Sequence, residues 1–163
     1  MDELAQKTKQ IEELKIILPN VTPPIANYLP YKIYGKTIII SGQGPIKEGK
    51  VLYEGKVGEN LTAEDGINAA KVCCLNLLAI IKYACKDNWD NFKEIIKLGG
   101  FVNCTDSFKE HPKIINGASD MLVEILGEKG KHARFAVGTN SLPLNMAVEI
   151  EAMVAIEING KNN

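Results

Sequence analysis

Apolar and polar positions follow two rhythms along this chain, one of period 3.6 and one of period two. The helical rhythm opens it. Over residues 2–16, Leu4, Ile11, Leu14 and, less regularly, Ile16 form one apolar stripe among charges. The prolines of "LPNVTPP" stop that helix, because each disfavours helical backbone at the residue before it. The pattern then becomes strand-like. "YKIYGKTIIISGQGP" predicts two strands, Tyr31–Tyr34 and Thr37–Ser41, joined at Gly35-Lys36, with Gly42, Gly44 and Pro45 punctuating the chain after the second. "KVLYEGKVG", residues 50–58, predicts a third strand.

The clearest helix is "TAEDGINAAKVCCLNLLAIIKYAC". Thr62 is its expected N-cap, with Asp65 at the reciprocal capping-box position. Ile67, Ala70, Cys74, Leu77, Leu78, Ile81 and Cys85 recur at three- and four-residue spacing, which makes one core-facing stripe. "FKEIIKLGGFVNC" predicts a strand with a bulge at Gly99-Gly100. A second helix spans His111 to Leu126, with Pro112 in its first turn and Ala118, Met121, Leu122 and Ile125 on its buried face. Two strands close the pattern, Ala133–Gly138 and Met146–Ile158. The last alternates strictly, with Val148, Ile150, Ala152, Val154 and Ile156 on one face.

The predicted order is βββ-α-β-α-ββ. That is an α+β domain over residues 21–158, flanked by a helical extension at 1–20 and a tail at 159–163. Both helices are expected on one face of the sheet. The other face must be wet or covered, and self-association would cover it.

Composition changes this picture little. Hydrophobic residues make up 45% and charged residues 24% of the 163, as in ordinary soluble globular proteins. A net charge of −1 argues against a broad surface for nucleic acid or membrane, which needs clustered Lys and Arg. The uninterrupted apolar runs, such as "LNLLAII", fall far short of the ~20 residues of a membrane span. The first fifteen residues lack the apolar core of a secretory signal. Cys73, Cys74, Cys85 and Cys104 form no CxxC, and with two histidines no zinc site is expected. Buried thiols in a reducing cytoplasm are the expectation.

Candidate chemistry centres on Arg134, the one arginine among eighteen lysines. A guanidinium holds a carboxylate through two parallel hydrogen bonds, which an ammonium does not. The alternative is a structural ion pair with a glutamate. Glu149 and Glu151 share one strand face; they are either a solvated face or acids able to salt-bridge or hold a water. "SGQGP" is a small-residue turn whose backbone N–H groups suit an anion, although it lacks P-loop spacing. Ser41 has no histidine in obvious reach and no GxSxG, so a serine hydrolase is not expected.

Together these segments resemble one family. "NYLPYKIYGKTIIISGQGP", "AAKVCCLNLLAII", "FVNCTDSF" and "ARFAVGTNSLPLNMAVEIEAMV" are similar to the Rid (reactive intermediate deaminase) or YjgF family, many of whose members carry the older name L-PSP endoribonuclease. The resemblance runs from about Pro24 to Ile158. Its most specific part is the spacing of Arg134, Pro143 and Glu149, joined by Ser41, Gly42 and Gln43. It implies a chorismate-mutase-like mixed sheet with two helices on one face, and a homotrimer with clefts between subunits. It implies that Arg134 grips a substrate carboxylate and Glu149 holds the attacking water. Tyr28 would stand at the cleft, with Ser41 and the backbone near Gly42 and Ala136 contacting substrate. It implies no metal or organic cofactor. The chain departs from the family at Ala136, where many members have cysteine, and at "NYLPY", where "GPYSQ" is usual.

The implied reaction is hydrolysis of an enamine or 2-imino acid to a 2-keto acid and ammonia. Orientation and general-base help would suffice for it. The alternatives are a non-catalytic trimer that binds a small carboxylate, and an endoribonuclease or translation inhibitor.

Overall fold

A computed structural model describes residues 16–21 and 27–158; the helix expected at 2–16, except Ile16, and the tail lie outside them. Two short strands open the domain, β1 (Tyr31–Tyr34) and β2 (Thr37–Gln43), turning at Gly35 with φ of +59°. A two-stranded hairpin comes next, β3 (Ile46–Lys47) and β4 (Lys50–Val51). Then come α1 (Ala63–Ala84), β5 (Phe92–Asn103), α2 (His111–Leu126), β6 (Ala133–Thr139) and β7 (Val148–Ile156). The main sheet has the order β1-β2-β7-β5-β6. Its pairings are antiparallel except β5 with β6, which run parallel across the α2 crossover.

Helix α1 forms where its cap predicts. The Thr62 hydroxyl accepts from the Asp65 N–H at 3.1 Å, and the Asp65 carboxylate accepts from the Thr62 N–H at 2.8 Å. Of the expected stripe, Ala70, Cys74, Leu77, Leu78, Ile81 and Cys85 are buried and Ile67 half-buried. By length and mean hydropathy α1 would pass for a membrane span, but its stripe packs on β2, β7 and α2. Helix α2 covers β5 and β6, so both helices lie on one face of the sheet. All four cysteines are free thiols in this interior.

Two expectations are corrected. The third strand reduces to Lys50–Val51 in the small hairpin, because residues 54 and 57 find only isolated bridges, to Met146, Leu61 and Cys104. Nor does Gly99-Gly100 form a bulge: β5 keeps register there, and its irregularities fall between Phe92 and Lys97. The two glycines are needed for clearance. A Cβ on Gly99 would stand 2.6 Å from the Phe135 ring and 2.7 Å from the Glu151 carboxylate, and one on Gly100 would stand 2.6 Å from Ile115.

Register decides which groups meet. On β7, Val148, Ile150, Ala152, Val154 and Ile156 are buried under the helices. Glu149, Glu151, Met153 and Ala155 point to the face away from the helices, where Met153 pairs with Ile39, Glu149 with Phe101, and Phe101 in turn with Val137. Ile39, Phe101 and Val137 are 46%, 36% and 42% exposed: Phe101 and Val137 lie side by side, and Ile39 stands apart from them across Glu149 and Glu151.

Candidate functional site

A cavity of about 300 Å³ opens on that face, lined by Gly42, Phe101, Thr139, Leu142, Glu149 and Glu151. It is built by three departures from regular strand. The first is the SGQ segment, where β2 loses register against β7 between Ile40 and Gln43. Its own side chains hold it: the Ser41 hydroxyl donates to the Leu29 carbonyl at 2.7 Å, and the Gln43 amide donates to the Ser41 and Gly42 carbonyls at 3.0 and 3.2 Å. Asn76, reaching from α1, donates to the carbonyls of Gly44 and Ile46 just beyond. Bulges of this kind re-aim backbone beside active sites.

The second departure is the end of β6. There the Lys56 ammonium donates to the Cys104 and Asn140 carbonyls and ties the segment after Thr139 to β5. The third is the 143–145 turn, where Leu144 and Asn145 both have φ of +54°. Such backbone is costly for non-glycine residues and needs anchoring. The anchors are the Gly55 N–H on the Asn145 carbonyl at 2.7 Å and the Asn103 amide on the Asn145 side chain at 3.3 Å.

Glu149 is the chemical centre of the cavity. Its carboxylate lies directly over Gly42: a Cβ on that glycine would come within 2.1 Å of Glu149 Oε1. Among the described residues it has no hydrogen-bond or ion-pair partner, and burial pushes its carboxyl above the usual range. Glu151 lies one step along the same face, 3.8 Å from the Lys97 ammonium, which also sits 5.1 Å over the Phe135 ring. A half-buried, unpartnered carboxylate of raised pKa can hold a water and take its proton. Among the described residues no cluster of three or more His, Cys, Asp or Glu side chains is arranged to hold a metal.

The other residues singled out in the sequence divide between the two faces. Ser41 props the bulge, and Tyr28 is 49% exposed nearby. Arg134 lies elsewhere. It pairs in register with Leu98, a core residue, whereas Glu149 pairs with Phe101 on the opposite face. Ala136 shares the face of Arg134, against the core. The guanidinium donates to the Ser119 hydroxyl at 2.9 Å and the Pro112 carbonyl at 3.1 Å, both on α2. Among the described residues it makes no ion pair, so neither Glu149 nor Glu151 is its partner within one chain. Phe101, Thr139 and Leu142 carried no signal in the sequence, because Phe101 and Thr139 reach Glu149 only through the β5–β6 and β5–β7 register and Leu142 only through the connection from β6 to β7.

Known proteins share this α+β fold. The profile of the family described as "YjgF/chorismate_mutase-like, putative endoribonuclease" matches residues 10–155. Protein TCP17 of Trypanosoma cruzi is 37% identical over 147 residues, 90% of this chain and 91% of that protein. The crystal structure of Atu1372 from Agrobacterium tumefaciens, described as of unknown function, superposes with a TM-score of 0.86 at 40% identity, over 93% of this chain and 92% of that one. A Shewanella oneidensis structure described as a "putative endoribonuclease" gives 0.87 at 35%, over 92% and 99%. RidA from an Antarctic Psychrobacter, at 23% identity and a TM-score of 0.60 over 84% and 94%, shares the fold. The chain belongs to the YjgF/chorismate mutase-like family.

Proposed function

We propose that this protein hydrolyses reactive enamine or 2-imino acid intermediates to 2-keto acids and ammonia, with Glu149 as the general base. The observation that carries the reading is the half-buried Glu149 carboxylate, without a partner among the described residues, over Gly42 in the 300 Å³ cavity. An enamine first tautomerises to the imine. Water then adds across C=N, its oxygen to carbon. Glu149 takes the proton released and delivers it to nitrogen. Collapse of the carbinolamine forms C=O and expels ammonia. The imine carbon is already electrophilic, so placing the water and the base supplies the catalysis.

The Arg134 grip on a substrate carboxylate is the second half of this reading. Arg134 and Glu149 occupy opposite sheet faces of one chain, so a site that uses both draws them from two copies. The exposed apolar side chains of Phe101, Val137 and Ile39 on the face opposite the helices support such association, and a homotrimer with clefts between subunits satisfies it. A reducing cytoplasm suits the four free thiols.

An amino-acid oxidase generating 2-imino acids in situ tests the reaction. Wild type should speed imine loss and Glu149→Gln should not. Mixing Arg134→Ala with Glu149→Gln subunits should restore part of the activity that each lacks alone. Binding of 2-keto acids without turnover of any imine would replace the enzyme with a carboxylate-binding trimer. The ribonuclease reading has less support: two glutamates line the cavity and the chain is net negative, which repels a phosphate backbone. Salt-dependent RNA retention on filters would revive it.

A further inference from the structure

Arg134 ends a chain of hydrogen bonds that runs through Ser119 and His132 to the Gly130 carbonyl. The His132 Nδ1 lies 2.6 Å from the Gly130 carbonyl oxygen. A carbonyl only accepts, so Nδ1 carries the hydrogen. In the neutral ring the Nε2 lone pair then faces the Ser119 hydroxyl at 2.9 Å, and Ser119 must donate to it. The Ser119 oxygen is thereby left with lone pairs only, and it accepts Arg134 Nη1–H at 2.9 Å. Nη2 donates separately to the Pro112 carbonyl at 3.1 Å. The guanidinium is therefore held at both terminal nitrogens, by a helix side chain and by a helix carbonyl.

From this geometry we infer that Ser119 and His132 are positioning residues that fix the Arg134 guanidinium for a carboxylate ligand. A guanidinium has five N–H donors, and two are committed here. The Nε–H and one N–H on each terminal nitrogen remain, enough for a two-point grip. An arginine held beforehand loses less rotamer freedom on binding than a loose one. A lysine at 134 would offer one nitrogen to Ser119, the Pro112 carbonyl and the ligand together, which gives a physical reason for a single arginine in a chain that otherwise uses lysine. Neither Ser119 nor His132 needs to touch the ligand. The inference rests on the carboxylate grip proposed above, but the held guanidinium is separately measurable.

Because the chain has one arginine, its 15N spectrum has one set of arginine side-chain signals. In wild type the Nη–H signals should be resolved, as slowed rotation about the Cζ–N bonds requires. Ser119→Val and His132→Phe should merge them into one average. Ser119→Thr, which keeps the hydroxyl, and His132→Gln, which keeps an acceptor, should leave them resolved, so a general loss of packing is distinguished from loss of the relay. Pyruvate, as the 2-keto acid probe, should bind about tenfold more weakly to Ser119→Val than to wild type, the worth of one hydrogen bond to a charged group. Nη–H signals unchanged in both Ser119→Val and His132→Phe would overturn the relay. Signals that merge as expected, in a wild type that binds no pyruvate, would keep the relay and remove the carboxylate grip.

Discussion

Gly42→Ala separates placement of the Glu149 carboxylate from everything else in the fold. The added methyl would stand 2.1 Å from Oε1, 2.9 Å from Cδ and 3.0 Å from Cγ of Glu149. Ordinary contact begins near 3.4 Å, so the carboxylate must retreat by about an ångström. It can do so, because the clash is with the end of a flexible side chain and not with backbone. The glycine has no positive φ, so alanine adds no backbone strain, and Gly→Ala at a compatible site gains about 0.4–1 kcal/mol from the unfolded state. Stability should therefore change little. Catalysis should change much: a displacement of this size in a positioned group costs about 10²-fold. The displaced carboxyl also moves toward water, which removes part of the burial that raises its pKa. Since the base works deprotonated, the acidic limb of the pH–rate profile should move to lower pH. The assay is oxidase-coupled imine loss across pH, with thermal melts of the same samples. Full activity with an unmoved acidic limb would refute the placement of Glu149 over Gly42 as the functional geometry.

Other perturbations probe the base, the helix cap and the sheet–helix layer. Glu149→Gln should abolish turnover yet raise the melting temperature at neutral pH. The folded-state pKa of Glu149 is raised, so its favourable contribution is complete below the unfolded value and lost as pH rises through the folded one. The stability gap between variant and wild type should therefore close on acidification, and a gap that widens would contradict the sign. Thr62→Ala removes one half of the α1 capping box and should cost about 1 kcal/mol, or about 2–4 °C in melting temperature, without altering turnover. Gly100→Ala places a methyl 2.6 Å from Ile115 Cδ1 and 2.7 Å from Cγ1 inside the β5–α2 layer, and should destabilise by about 1–3 kcal/mol in denaturant melts.

The elements legible in the sequence were those whose reasons are local. Helix α1 announces itself through its cap and stripe, and β7 through strict alternation, because both signals sit within one segment. The residues 50–58 failed as a strand for the opposite reason: apolar composition is local, but a strand exists only where a partner offers a ladder, and beyond Val51 the neighbours offer single bridges. Gly99-Gly100 was misread in the same way. A glycine pair signals either a bulge or a close approach, and only the neighbouring strands and helix, with Phe135, Glu151 and Ile115 in place, decide for clearance.

The site shows the same division. That Glu149 and Glu151 share a face was readable, since alternation within a strand needs no partner. Whether Arg134 joins them was not, because alternation fixes faces within β6 and within β7 separately. The relation between them passes through β5: Arg134 lies opposite Leu98 and Glu149 opposite Phe101, three residues apart, an odd step that puts them on different faces. An arginine and a glutamate at the right sequence spacing are thus kept apart in one chain by sheet parity. Within that chain the guanidinium is occupied by Ser119 and Pro112, and the carboxylate is left half-buried without a partner among the described residues. Separation leaves both groups chemically available, since a direct ion pair would have neutralised each. The subunit-mixing experiment therefore bears on the fold as well as the function. If activity returns when the two inactive variants share an assembly, association supplies the proximity that sheet parity denies the single chain.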